Sequence, residues 1–162
     1  MAELEKNDIY ACALPIPNPA NPVCSEWITE IARTVNQNKN DQVYLVGHSL
    51  GSTAVLRYLE NCDSLSIAGA ILASGPSEKN QNRKIDNFLE KPFDFSTIKS
   101  RCSKFAVIHG DNDPYVPFSN AEFLARSLEA DLYPVKNGGH LNGSFGILQL
   151  PEALDILEKW IQ

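Results

Sequence analysis

The chain has 162 residues, with 14 lysines and arginines against 20 aspartates and glutamates, for a formal net charge of -6. That length suits one hydrophobic core, and the acidic balance excludes the basic stripe that neutralises phosphates, so nucleic acid is not an expected partner. No apolar run approaches the roughly 18 residues of a membrane span, and Met1-Ala-Glu-Leu-Glu-Lys lacks the apolar stretch and cleavage site of a signal peptide, so no membrane contact and a cytoplasmic location are expected.

Short apolar runs alternate with longer helical patterns, which predicts βαβ units and an α/β three-layer sandwich with a mostly parallel sheet. In chain order, Ile9 to Leu14 reads as a strand. Ser25 then caps a helix with Trp27, Ile28, Ile31 and Val35 on one face. Gln42 to Val46 reads as the next strand, followed by a helix marked by Ala54, Val55, Tyr58 and Leu59. Ile67 to Ala73 is the third strand. A polar stretch from Pro76 to Lys91, continued by Pro-Phe-Asp-Phe-Ser, has the length of a lid, or is a plain loop with one helix. Phe105 to His109 and Leu132 to Val135 are strands whose continuous apolar character fits a sheet covered on both faces. The helices around them run from Ser119 to Leu128 (Phe123, Leu124, Leu128) and from Pro151 to Ile161 (Leu154, Leu157, Ile161).

The cysteines, Cys12, Cys24, Cys62 and Cys102, are far apart and form no Cys-x-x-Cys pair; they read as small buried thiols rather than disulfide partners. His48, His109 and His140 have no metal-type spacing to them, so no metal and no cofactor is assigned.

The motif that carries chemistry is Gly47-x-Ser49-x-Gly51, placed where a β-type run ends and a helical pattern begins. A serine hydroxyl is a poor nucleophile at neutral pH, and a sharp strand-to-helix turn exposes its Oγ to substrate and to a base. Glycines on both flanks relieve crowding there. The helix start adds backbone N–H groups and partial positive charge beside a developing oxyanion, with Leu50 N–H as the expected donor. The base and its carboxylate are sought on loops after later strands. Gly110-Asp-Asn-Asp-Pro-Tyr-Val-Pro117 follows one strand and Lys136-Asn-Gly-Gly-His140 follows the next. Asp111 and Asp113 compete for the acid role, and residue physics leaves both open. His140 is the base; His48 and His109 read as hydrogen-bonded framework residues. Tyr115, Phe118 and the loop after Ser74-Gly75 are candidate apolar walls.

Gly-His-Ser-Leu-Gly, Gly-Asp-Asn-Asp-Pro-Tyr-Val-Pro-Phe and Gly-Gly-His together resemble the small capless serine hydrolases of the α/β-hydrolase fold related to retinoblastoma-binding protein 9 and bacterial YdeN. Leu14-Pro-Ile-Pro-Asn-Pro leading to Trp27 extends the resemblance over nearly the whole chain. The family pattern places the acid before Pro-x-Val-Pro, which selects Asp113, and supports Ser49 as nucleophile and His140 as base. Residues 1–162 are thus expected to form a single α/β-hydrolase domain, short at the N-terminus. The family opens with a strand and a His-Gly loop, whereas Met1 to Asn7 reads as the end of the helix that follows them. The resemblance sets the absent strand between Ile9 to Leu14 and Gln42 to Val46. Its loop would hold the second oxyanion donor, whose loss costs on the order of 100- to 1,000-fold in kcat.

The expected activity is cleavage of a small ester, thioester or amide through an acyl-enzyme on Ser49, with a small-molecule acyl substrate as partner. The alternative is a catalytically weak or silent hydrolase-fold protein acting as an interaction module, with a protein partner or a homo-oligomer formed through an open strand edge.

Overall fold

A computed structural model describes Leu4, Lys6 and residues 9–38, 41–62 and 67–162. The helix end read from Met1 to Asn7 lies outside them apart from Leu4 and Lys6. The described elements are α1 (Cys24–Gln37), β1 (Tyr44–His48), α2 (Leu50–Asn61), β2 (Gly69–Ala73), a 3-10 helix (Arg83–Phe88), α3 (Phe95–Arg101), β3 (Phe105–Gly110), α4 (Phe118–Leu128), β4 (Asp131–Val135), a 3-10 turn (Gly143–Phe145) and α5 (Pro151–Ile161). Among the described residues the strands form one sheet in the order β1-β2-β3-β4, and each neighbouring pair is parallel.

The sheet alternates its side chains between two cores, as strand geometry requires. Ala70 and Leu72 of β2 and Phe105 and Val107 of β3 meet the apolar faces of α1, α2, α3 and α4. Ile71, Ala73, Ala106 and Ile108 face the other way, against Ile156 and Leu157 of α5. Every residue of β2 and β3 is buried, which is why both read as unbroken apolar runs. α2 is the central helix: Ser52 to Leu59 are all buried, including Arg57. Fully burying Leu56 and Leu59 stabilises the fold by roughly 2 kcal/mol each.

Ile9 to Leu14 forms no strand. The segment lies on the surface with Tyr10 80% exposed; Leu14 and Ile16 pack on the larger core, and Trp27 Nε1 donates to Pro17 O at 2.8 Å. An apolar run becomes a strand only where a ladder can satisfy its peptide groups, and here β1 is the edge of the described sheet. The two runs therefore do not pair directly. α1 starts at Cys24 with Val23 in the capping position. Its exposed Cys24 N–H is taken by Asn87 Oδ1 at 2.6 Å instead of by Ser25. The third strand begins at Gly69, with Ile67 making one isolated bridge to Cys102.

Two helical faces also differ from the expected ones. Phe123 of α4 is 44% exposed, while Ala121, Leu124, Ala125 and Leu128 face inward. α5 buries Ile156 and Leu157, flanked by Ala153 and Trp160, and turns Ile161 outward. The four cysteines are free, but only Cys102 is fully buried; Cys12 is exposed and Cys24 and Cys62 are intermediate. Burial pushes the Cys102 thiol up to about 11.

The Pro76 to Lys91 stretch contains the 3-10 helix and is tied to α1, α2 and α4. Thr53 Oγ1 donates to Pro76 O at 2.8 Å. The Arg57 guanidinium donates to the carbonyls of Phe88, Lys91 and Pro92 and lies over the Phe93 ring, 3.9 Å from its centroid.

Candidate active site

β1 runs straight into α2 through Ser49, which has φ 53 and ψ -124. A positive φ is unusual for a residue with a Cβ and stores strain that the surrounding packing must hold. Gly47 makes the turn possible: a Cβ there would fall 2.6 Å from the backbone of Ser52. Ser52 Oγ donates to Gly47 O and Ala73 O, locking the turn to β2 from below. Gly51 has a different status, since a Cβ there would meet nothing within 4 Å. Only one of the two flanking glycines is demanded by crowding.

The loop after β3 brings Asp113 to the site, and the loop after β4 brings His140. Ser49 Oγ–H donates to His140 Nε2 at 2.9 Å, and His140 Nδ1–H donates to Asp113 Oδ2 at 2.7 Å. The Asp113 side chain is fully shielded from solvent. Burial pushes its carboxyl up, but the Val116 N–H, the His140 ring and the Tyr115 N–H outweigh that and hold it below the usual carboxylate value. Its Oδ1 accepts from the N–H groups of Tyr115 and Val116 at 2.9 and 3.0 Å.

Asp111 is a different kind of residue. It is exposed, and its Oδ1 accepts from Asn137 N–H at 2.7 Å. Next to it, Asn112 Oδ1 accepts from Gly139 N–H at 2.8 Å. These bonds stitch the two loops together, and the backbones touch so closely that a Cβ on Gly110 would lie 2.1 Å from Gly139 O. The pattern of single residues held no sign of this stitching, because it joins side chains in one loop to peptide groups in another.

Both framework histidines carry a bond that bears on the site. His109 is fully buried, and its Nε2–H donates to Val116 O at 2.9 Å, closing the loop that carries Asp113. His48 Nε2–H donates to the carbonyl of His140 itself at 2.8 Å, and the two rings lie 5.1 Å apart. Burial lowers the pKa of both, which favours the neutral ring. Of the expected apolar walls, Tyr115 stands beside His140, whereas Phe118 packs edge-on against the buried His109 ring.

A serine at a strained strand-to-helix turn, on a parallel sheet with helices on both faces and polar loops converging at the strand ends, defines the α/β-hydrolase fold. The chain belongs to the serine hydrolase family, whose model matches residues 2–159. It is 33% identical over 154 residues to YdeN of Bacillus subtilis (strain 168), covering 94% of this chain and 80% of that one. The solved structure of the ydeN gene product superposes with a TM-score of 0.92 at 32% identity, covering 99% of this chain and 87% of that one. The serine hydrolase RBBP9 of Rattus norvegicus is 24% identical over 144 residues, which covers 87% of this chain and 75% of the rat protein. Among the described residues no helix is long and apolar enough to cross a membrane.

Proposed function

We propose that the chain, acting as one catalytic domain, hydrolyses a small ester, thioester or amide through an acyl-enzyme on Ser49. The observation that carries this reading is the unbroken run of hydrogen bonds from Ser49 Oγ through His140 to the shielded carboxylate of Asp113. In the first step Oγ bonds to the substrate carbonyl carbon while its proton passes to His140 Nε2, and the carbonyl π pair moves onto oxygen. Asp113 fixes the Nδ1–H tautomer and stabilises the imidazolium. Leu50 N–H, at the N-terminus of α2, helps hold the oxyanion. Collapse breaks the bond to the leaving group, which takes the proton from Nε2, and a water molecule then repeats the sequence to free the acid and Ser49.

Intact-mass analysis after incubation with a fluorophosphonate tests this. The wild-type chain should gain one adduct, and Ser49→Ala should gain none while remaining folded. Turnover in Ser49→Ala should fall by on the order of 10^5- to 10^6-fold. A folded wild-type chain that takes up no adduct would move the reading to a silent hydrolase fold. In that case the edge strand β1, where Val46 is 53% exposed, becomes the surface on which a protein partner or second copy pairs.

A further inference from the structure

Tyr115 is 61% exposed, yet it is placed with care. Its ring centroid lies 5.2 Å from that of His140 with the planes at 89°, and 5.9 Å from that of Phe145 at 75°. Its own N–H donates to Asp113 Oδ1. Phe145 ends the 3-10 turn that follows His140, and its ring lies so close over Gly139 that a Cβ there would fall 2.3 Å from Cδ1. Both rings are thus held by the loops that carry the acid and the base. Phe145 is half-buried and Tyr115 stands out beside it; the apolar area of an exposed ring is realised when something covers it.

The chemistry says which part of a substrate that is. When the tetrahedral intermediate collapses, His140 Nε2 gives its proton to the departing oxygen or nitrogen, so that atom must come within hydrogen-bond reach of Nε2. The acyl carbon is by then bonded to Ser49 Oγ, and its oxyanion faces the start of α2. The His140 side of the site therefore receives the leaving group, and the aromatic surface on that side is Tyr115 with Phe145.

We propose that Tyr115 and Phe145 form a leaving-group subsite that favours esters and amides whose alcohol or amine part is aromatic or bulky and apolar. This rests on Ser49 being the nucleophile. The proposal concerns the alcohol or amine half of the substrate and leaves the acyl half unselected by these rings.

The test uses two ester pairs with the full chain. Benzyl against methyl acetate varies the leaving group, and benzyl butyrate against benzyl acetate varies the acyl part. Wild type should prefer benzyl over methyl acetate in kcat/KM. Tyr115→Ala should reduce that preference about tenfold, a size common for one apolar contact in a pocket, and Tyr115→Phe should retain it. The butyrate-to-acetate ratio should be the same in all three proteins. A benzyl preference that survives in Tyr115→Ala, or a change in the acyl ratio in its place, would overturn the subsite. Fluorophosphonate labelling separates the two levels, because its leaving group is fluoride and needs no aromatic surface. Wild type and both variants should each gain one adduct at Ser49, and a wild-type chain that does not label would overturn the nucleophile and the subsite with it.

Discussion

The loops of residues 110–117 and 136–146 and the connection of residues 76–93 are all polar and rich in Asn, Asp, Pro or Gly, yet they end in opposite conditions. In the connection, hydrogen-bonding capacity is spent on the frame. Arg57 collects the carbonyls of Phe88, Lys91 and Pro92 and pairs with Glu60 at 2.7 Å, and Asn87 caps α1. In the strand-end loops, Asp111 and Asn112 are spent on peptide groups of the neighbouring loop, which leaves Asp113 Oδ2 to bond His140 Nδ1 and His140 Nε2 to meet Ser49. Polar composition marks a loop in either case. What separates a site from a tether is whether side-chain capacity remains after the backbone has been satisfied.

The largest effect that can break this comparison is within the acid loop. Asp113→Asn should lower kcat/KM on the order of 10^4-fold, because an amide cannot hold the Nδ1–H tautomer of His140. Asp111→Asn keeps an oxygen for the Asn137 N–H and should stay within about threefold. Steady-state kinetics on one ester decides it, and equal losses in the two variants would erase the distinction between tether and acid. Next in size is the connection itself. Arg57→Met should cost about 3 kcal/mol in urea unfolding, since it strands the buried Phe88 carbonyl, removes the donor from the part-buried Lys91 and Pro92 carbonyls and takes away the cation paired with Glu60. Below its own transition, the variant should label with fluorophosphonate as fast as wild type; slow labelling of the folded variant would show that the connection serves the site.

Much of this arrangement was legible in the residues. β2 and β3 stand out because burial on both faces forces continuous apolar runs, and the elbow stands out because a tight strand-to-helix turn needs Gly47. Ile9 to Leu14 has the same apolar texture and forms no strand, because texture does not say whether a partner lies alongside. The cap of α1 was hidden for a similar reason: its acceptor, Asn87, is 63 residues away. Asp111 and Asp113 are equivalent in composition and differ only in what each reaches across the gap between two loops. Tertiary hydrogen bonds decide such cases, and local periodicity does not carry them.

A smaller effect is expected at His48, which joins the strand ending at Ser49 to the loop that carries His140 through the His140 carbonyl. His48→Leu should lower kcat about tenfold with little change in KM, because misplacing the base costs chemistry rather than binding. His48→Gln, which restores an N–H donor, should recover most of the loss. If Gln is as impaired as Leu, the bond to the carbonyl is not what places His140.

The smallest effect concerns stability and His109, the residue that closes the acid loop. Burial lowers its pKa from the ordinary 6.5, partly offset by the Val116 carbonyl and the Asp113 charge, while His140 adds to the lowering. Between the folded value and 6.5 the unfolded chain therefore binds more protons than the folded one. Stability from this group is fully present above about pH 6.5, declines as pH falls toward the folded pKa and levels off below it. His48 is shifted in the same direction, whereas the depressed Asp113 acts separately, below its ordinary 3.8. Urea midpoints measured from pH 8 to pH 5 should thus fall with acidity, and His109→Gln, which can still donate to Val116 O, should flatten part of that slope. An unchanged slope in the variant would mean that the imidazole is as easily protonated in the fold as out of it, and that burial of this ring adds nothing to the loss of stability in acid.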